Sequence, residues 1–244
     1  MPPWLWWAIL AGSAIAAVLA LVYWLVILTE GAYLGPRAVT ALYNRFAHRY
    51  DAVKQFDEDD EAYFLGRPIA RFLAGRAAST GERPWLLDVA AGTGRLPLAV
   101  LRAAPDACRF IALDRAEAML AEAQRKLAEE GAHDVVCVAH DAIRLPFAAG
   151  QFAVVACLEA LEFMPAPEAA LAEALRVTQP GGLLVATNRI GREARLMPGR
   201  IFDRERLAAI LREQGAAGVE IMPWQMDYDL VFAVKQGQAP AGSA

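Results

Sequence analysis

Pro84-Trp85-Leu86-Leu87-Asp88-Val89-Ala90-Ala91-Gly92-Thr93-Gly94-Arg95 is the stretch on which the fold turns. An apolar run carrying a single acid breaks into small residues with two glycines two positions apart, and a helical pattern follows. That order is how a buried parallel strand feeds a tight turn and then a helix whose first N–H groups point at a ligand. The glycines let the backbone approach that ligand closely. Asp88, at the end of the strand, is placed to accept hydrogen bonds from a cationic or amino group.

Three kinds of glycine-rich loop compete for these residues. A phosphate-cradling loop needs G-x-x-x-x-G-K-[ST], and no lysine follows here. A dinucleotide fingerprint needs G-x-G-x-x-G, and counting from Gly92 puts Pro97 in the third place. What remains, Asp88-Val89-Ala90-Ala91-Gly92-Thr93-Gly94, resembles the first motif of class I S-adenosylmethionine (SAM) dependent methyltransferases, with Ala90 standing where many members have glycine. The competing reading is a glycine turn that holds no ligand.

Outward from this stretch, apolar runs and helical patterns alternate. The spacing predicts a helix over 96–104, a strand over 108–113 ending in Asp114, and a helix over 116–130. A strand over 135–139 then ends in His140-Asp141-Ala142, a strand follows over 152–158 and a helix over 168–177. Pro180-Gly181-Gly182 reads as a turn into a strand over 183–187. A helix over 203–214, with Asp203 as N-cap, precedes strands over 219–224 and 228–235 that are close enough to form a hairpin. Strands separated by single helices argue an α/β fold with a doubly wound, mostly parallel sheet. The resemblance implies seven strands with a terminal antiparallel hairpin. It extends over 43–235: Leu175-Arg176-Val177-Thr178-Gln179-Pro180-Gly181-Gly182 is similar to the family's turn before its fifth strand, and Tyr43-Asn44-Arg45-Phe46-Ala47-His48-Arg49-Tyr50-Asp51 to the segment that precedes the core in quinone-biosynthesis (UbiE-type) members. In that group the segment folds over the SAM site as a lid; a juxtamembrane helix packing its aromatics on the core is the alternative.

The front of the chain is of another kind. Residues 4–28 hold 25 positions without a charge, rich in Leu, Ile, Val, Ala and Trp, and a spanning helix needs about 20. No basic residue precedes the run, and it is longer than a signal-peptide core, so a retained anchor in the lipid bilayer is expected. Trp4, Trp6 and Trp7 suit one interface, and Tyr23, Trp24 and Tyr33 the other. Arg37, Arg45, Arg49 and Lys54 all follow the span, which predicts a single pass with the N-terminus outside and the large domain in the cytoplasm. The expected organisation is an anchor over 1–34, juxtamembrane and lid helices over 35–83, a methyltransferase domain over 84–235 and a flexible tail over 236–244.

Composition narrows the partners. Net charge is −4, so nothing global points to nucleic acid. The three cysteines, Cys108, Cys137 and Cys157, lie far apart in apolar surroundings, which supports neither a disulfide framework nor a zinc site and suits a reducing compartment. The run Asp57-Glu58-Asp59-Asp60-Glu61 reads as solvated charge at a helix N-terminus rather than as a metal site.

In open α/β sheets ligands bind beyond the carboxyl ends of the strands, at the point where strand order reverses. Asp114 lies 20 residues after Gly94, at such an end, and a carboxylate there accepts two hydrogen bonds from a ribose diol. The resemblance implies that Asp88, Ala90, Gly92, Thr93, Gly94, Asp114 and Arg115 hold SAM. It further implies that Asp141 and Ala142 meet the adenine, that Met119 packs on the adenine face with Leu120, and that Leu158 borders the methionine part. The chemistry implied is in-line displacement at a sulfonium methyl, for which the protein aligns the acceptor and excludes water. A phenolic or carbon acceptor needs a base; an amine does not. Glu159, Glu162, His140, His48 and Tyr50 are the candidates, and glutamates where many members carry histidine or asparagine leave room for a cationic or amine acceptor. Between 187 and 207, arginines interleave with Leu196, Met197, Ile201 and Phe202, either as a solvated loop or as a surface resting on an anionic leaflet. Two functions stay open. One is a tethered enzyme methylating a hydrophobic acceptor such as a quinone precursor or lipid headgroup. The other is a non-catalytic or SAM-sensing module docked by its anchor to a membrane-protein partner.

Overall fold

A computed structural model describes residues 2–132 and 134–237. From residue 238 on, the expected tail lies outside the described residues. The sheet is built of β1 (Trp85–Val89), β2 (Arg109–Asp114), β3 (Val135–Ala139), β4 (Phe152–Cys157), β5 (Thr178–Arg189), β6 (Ala216–Gln225) and β7 (Tyr228–Lys235). Their spatial order is β3-β2-β1-β4-β5-β7-β6, parallel except for β7, which runs antiparallel to both β5 and β6. The sheet is the seven-stranded, mostly parallel one that the alternation and the resemblance together predict. Order reverses between β1 and β4, so the ends of these two strands open the crevice.

Helices come in chain order as α1 (Pro3–Tyr23), α2 (Pro36–Phe46), α3 (Tyr50–Lys54), α4 (Glu58–Glu61), α5 (Arg67–Thr80), α6 (Arg95–Ala103), α7 (Glu117–Glu129), α8 (Pro167–Val177), α9 (Gly191–Ala194) and α10 (Arg204–Glu213). Strands with helices on both faces must be apolar on both. In β1, accordingly, Leu86 enters the layer under α5 and α6 with Leu73 and Val100, while Leu87 enters the layer under α8 and α10 with Leu171 and Ile210. Gly94, at φ +80°, starts α6, and a Cβ on it would come within 3.1 Å of Ala123 Cβ on α7. Gly94→Ala combines a left-handed backbone with that clash. It is expected to cost about 2 kcal/mol of stability, read as a lower urea midpoint.

α5 runs through Gly75 to Thr80 and stops at Gly81 in the left-handed conformation, because its buried face (Ile69, Leu73) outweighs the propensity cost of one internal glycine. Two expectations are corrected. Pro180-Gly181-Gly182 is no turn ahead of the strand: β5 already runs through it, and the register against β4 shifts between Phe152 and Val154 to take up the irregularity. The acidic block is solvated except for Glu61, which is 7% exposed and ion-paired; Asp57 caps α4 by accepting from the N–H groups of Asp59 and Asp60. Asp203 caps α10 as expected, accepting from Arg206 N at 2.7 Å.

None of α1 is buried, and it continues through a π-type turn, Trp24–Leu28. Pro3–Leu28 is long and apolar enough to cross a membrane. Glu30 (φ +46°) and Gly31 (φ +77°) then reverse the chain. The end of this helix is docked on the domain. Trp24 Nε1 donates to Leu196 O at 3.0 Å and Tyr33 OH to Pro198 O at 2.8 Å, with the two rings stacked at 4.9 Å. Arg200 donates to Ala32 O at 3.0 Å and to Met164 O, and lies 5.2 Å from the Tyr33 ring. Arg200→Ala leaves both carbonyls without that donor and is expected to cost about 2 kcal/mol, with faster amide exchange at Gly31–Leu34 and little change in the sheet.

Candidate functional site

The cleft lies where the strand ends, the glycine loop and the lid meet. Asp114 closes β2 and spends one carboxylate oxygen on Gly92 N (2.9 Å) and the other on Ala116 N (2.8 Å). The acid therefore fixes the glycine loop and the start of α7 together, and each oxygen keeps a lone pair for a further donor. Ala91 N donates to Leu113 O and His140 N to Asp114 O, which carries the same alignment to β3. One residue on, Arg115 reaches Asp141 Oδ2 at 3.0 Å, and Asp141 Oδ1 accepts from Ile143 N. Asp114, Arg115, His140, Asp141 and Ala142 line a cleft of about 750 Å³, partly open to solvent, together with Ala90, Gly92 and Leu158.

A smaller recess continues toward Asp88, Thr93 and Arg95, sharing Tyr50, Ala90, Gly92, Leu158 and Glu159 with the larger cleft. Ala90 (φ +56°) and Gly92 (φ +52°) both hold left-handed backbone, and a Cβ added to Gly92 would meet nothing within 4 Å. Open space beside a strained loop is where a ligand can press against backbone. Asp88 is 3% exposed; burial first, and the nearby Asp114 charge second, push its carboxyl well above the usual range against the pull of Arg95. Burial also raises Asp114, opposed by the N–H donors of Ala116, Gly92 and Arg115.

The segment from α2 to α3, called the lid here for its place beside the cleft, is held there by specific bonds. Asn44 Oδ1 on α2 accepts from Ala118 N at 2.9 Å, so the lid helps to cap α7. Asp51 accepts from Thr93 Oγ1 at 2.6 Å and from Lys126 Nζ at 2.6 Å. Tyr43 and Tyr50 both line the cleft.

Glu159 sits at the join. It adopts φ +48°, its N–H donates to Thr187 Oγ1 at 2.6 Å, and its carboxylate takes Lys54 Nζ at 2.9 Å and the Arg95 guanidinium. Burial works to raise this carboxyl, but Arg95 and Lys54 outweigh it and hold it below the usual range. Arg95 also pairs with Glu61 at 2.7 Å and stacks 4.1 Å from the Phe56 ring and 4.7 Å from Trp224.

Not every predicted site residue reaches the cleft. Met119 is fully buried against Ala47, Tyr43 and Tyr50, beneath the lid rather than on the wall of the cleft, because the lid covers that side of α7. Leu120 packs instead with Ala91 and Ala112. Gly94 forms the end of the loop behind the cleft. His48 is exposed, and the turn Ala47–Arg49 points it outward. Glu162 is 1% exposed rather than a surface acid. Of the arginines between 187 and 207, Arg189, Arg200, Arg204 and Arg206 are bound within the protein, so only part of that loop keeps free positive charge. Glu30, Lys54 and Arg95 were not anticipated as parts of the site. Arg95, directly after the second glycine, carried a local signal; Glu30 and Lys54 carried none.

Comparison with known proteins bears on the family and the fold. Residues 86–182 match a family described as a methyltransferase domain. A demethylmenaquinone methyltransferase of Beutenbergia cavernae is 36% identical over 151 residues, which is 62% of this chain and 57% of that protein. A ubiquinone/menaquinone biosynthesis C-methyltransferase UbiE of Methylobacterium nodulans is 32% identical over 145 residues, 59% of this chain and 56% of the relative. The chain thus spans about three fifths of the length of the curated relatives it matches. An O-methyltransferase family protein of Burkholderia thailandensis shares the fold at TM-score 0.60 and 16% identity, over 86% of this chain and 63% of that one.

Proposed function

We propose that this chain is a class I SAM-dependent methyltransferase, a reading supported by the matched methyltransferase domain and by its relatives, and that it transfers the SAM methyl group to a hydrophobic, membrane-held acceptor, with a quinone precursor as the favoured class. The observation that carries the reading is the Asp114 carboxylate, locked to Gly92 and Ala116 at the end of β2 and sharing one cleft with Asp141. A non-binding scaffold has no use for that arrangement. The relatives named for quinone methylation favour the acceptor class.

Bound SAM supplies an activated methyl on a sulfonium centre. The chain supplies the rest. Asp114 accepts from the ribose hydroxyls, Asp141 and the Ala142 N–H serve the adenine edge, and Asp88 with the Ala90–Gly94 loop serves the methionine part. Tyr43 and Tyr50 on the lid exclude water from the reacting atoms. Residues 4–28 anchor the domain as a single pass with the catalytic side in the cytoplasm, a reading supported by the exposed apolar helix and by basic residues only after it. Docking of the helix end on 196–200 keeps the cleft at the bilayer surface, where the local concentration of a lipid-soluble acceptor is high.

The test is transfer of labelled methyl from SAM into the organic extract of vesicles that hold the full chain and a demethylated naphthoquinol. Label in the quinone fraction, lost on solubilising a chain that lacks 1–28, is expected. SAM binding without label in any lipid or quinone fraction would overturn the enzymatic reading.

A further inference from the structure

Charge is spread unevenly around the end of the N-terminal helix. The chain carries −4 overall, yet residues 31–50 hold no acid and contain Arg37, Arg45 and Arg49. On α2, Pro36, Val39, Thr40 and Tyr43 line the cleft. The opposite stripe, Arg37-Ala41-Arg45 at intervals of four, therefore faces solvent, and the exposed Arg49 extends it. Arg192 and Arg195 are exposed on the segment that holds the helix end, where Leu196 O accepts from Trp24 Nε1 and Pro198 O from Tyr33 OH. None of these five arginines is in an ion pair among the described residues. Three exposed apolar side chains, Leu34, Phe46 and Leu196, lie on the same segments.

The acids nearest this face are engaged or gathered in one cavity. Glu30 accepts from Tyr43 OH at 2.8 Å, Asp51 from Lys126 Nζ at 2.6 Å, and Glu193 pairs with Arg189 at 2.8 Å. Glu30 also lines a polar cavity with Asp57, Asp60 and Asp227. Patches of opposite sign thus both reach the helix end: arginines along α2 and 192–195, and carboxylates at that cavity. A domain joined to a bilayer through one helix can swivel about it. A charged leaflet then acts on both patches together, drawing one in and pushing the other away.

We infer that the arginine face is a docking surface for an anionic lipid leaflet. Arg37, Arg45, Arg49, Arg192 and Arg195 meet the phosphate groups of acidic phospholipids, and Leu34, Phe46 and Leu196 enter the headgroup boundary beside them. The inference rests on the reading of Pro3–Leu28 as a span, which by itself brings only the helix end to the bilayer. A guanidinium presents paired N–H donors that match phosphate oxygens, and it needs no pocket to do so. Two observations favour lipid over an acidic protein as the partner. The arginines flank the end of the apolar helix, and they alternate with exposed apolar side chains near the interfacial pair Trp24 and Tyr33. Docking has a consequence for the cleft. Because α2 carries Arg37 and Arg45 on one side and Val39 and Tyr43 on the other, seating the arginines on the headgroups leaves the cleft about one helix diameter, roughly 10 Å, from the leaflet.

The experiment uses the full chain in vesicles of phosphatidylcholine alone and in vesicles with about one third phosphatidylglycerol. Both carry a trace of lipid with a photo-crosslinking headgroup, and the labelled peptides are mapped by mass spectrometry. Labelling of 34–49 and 190–196 should rise about fivefold or more with phosphatidylglycerol, while labelling of 55–60 stays level or falls. About 0.5 M salt should remove the rise by screening. The triple change Arg37→Glu, Arg45→Glu and Arg195→Glu should abolish the rise. Reversing three exposed arginines elsewhere, Arg71, Arg144 and Arg212, should leave it intact. Equal labelling of the unaltered chain in the two vesicles would overturn the inference without any variant having to fold. So would equal loss in the two triple variants, because net charge and not this face would then be responsible. Equal lipid labelling with arginine-dependent binding of polyglutamate would give the face to an acidic protein instead. Flotation separates the docking surface from the span. A chain that floats with both vesicles but labels equally contradicts the surface alone. One that floats only with phosphatidylglycerol supports the surface and contradicts the span, and one that floats with neither contradicts both.

Discussion

Asp114→Asn should lower SAM affinity by about 100-fold or more while the domain stays folded. The carboxylate holds Gly92 N at 2.9 Å and Ala116 N at 2.8 Å, and its remaining lone pairs are the ones offered to a ribose diol. An amide in its place has one accepting oxygen and turns an NH2 toward one of those two backbone donors. The substitution therefore loses a charge-assisted bond to ligand and loosens the glycine loop that the ligand needs, about 3 kcal/mol together. Equilibrium dialysis with labelled SAM reads the affinity, and a thermal melt reads the fold. Affinity within threefold of the unaltered chain would remove Asp114 from the site. The same acid sets a pH dependence. Burial raises its carboxyl, so affinity is full while the group is ionised and falls as pH drops through a value above the ordinary aspartate range. Asp88, raised further for the same reason, acts in the same direction.

Arg95→Leu should cost about 3–5 kcal/mol of stability. The Arg95 side chain is 10% exposed, Glu61 9% and Glu159 5%, so removing the cation strands two buried carboxylates, of which only Glu159 keeps Lys54. Lost stacking on Phe56 and Trp224 adds to it. Arg95→Leu with Glu61→Leu should recover part of the loss, because an apolar pair needs no partner. The pH dependence identifies the cause. In the unaltered chain Glu159 is held below its ordinary value, so its contribution is present above that value and fades as pH falls through the depressed folded one. In Arg95→Leu burial acts with less to oppose it, so the deficit against the unaltered chain should shrink on acidification through the glutamate range. Urea titrations at several pH values measure this; a deficit independent of pH would mean that packing, not charge, is what Arg95 contributes.

Much of the domain is legible in local pattern. β1, β3 and β7 lie within a residue of where alternation places them, because strands buried on both faces read as apolar runs and the turns between them are marked by glycine and acid. Asp114 and Asp141 stand out as candidates by their position beyond strand ends, where open α/β sheets bind ligands. What sequence does not show is partnership across the chain. Glu162 is one of five candidate bases with nothing local to set it apart until Tyr228, 66 residues on, is seen bonded to it. Glu61 looks like one of five solvated acids until Arg95 claims it. Arg200 lies in a stretch that reads either as a solvated loop or as a surface on a leaflet, yet it bonds Ala32, 168 residues earlier, and reversing its charge would break the docking of the N-terminal helix end. Met119 has the spacing of an adenine-facing residue, but the lid occupies that side. In each case a long-range contact decided between two locally sensible readings.

A structure of the full chain in complex with S-adenosylhomocysteine tests the central claim most directly. The account predicts one nucleoside per chain, its ribose hydroxyls on Asp114, its adenine beside Asp141 and Ala142, and its amino-acid end against Asp88 and the Ala90–Gly94 loop. A nucleoside bound elsewhere, or a cleft that stays empty at saturating ligand, would contradict it.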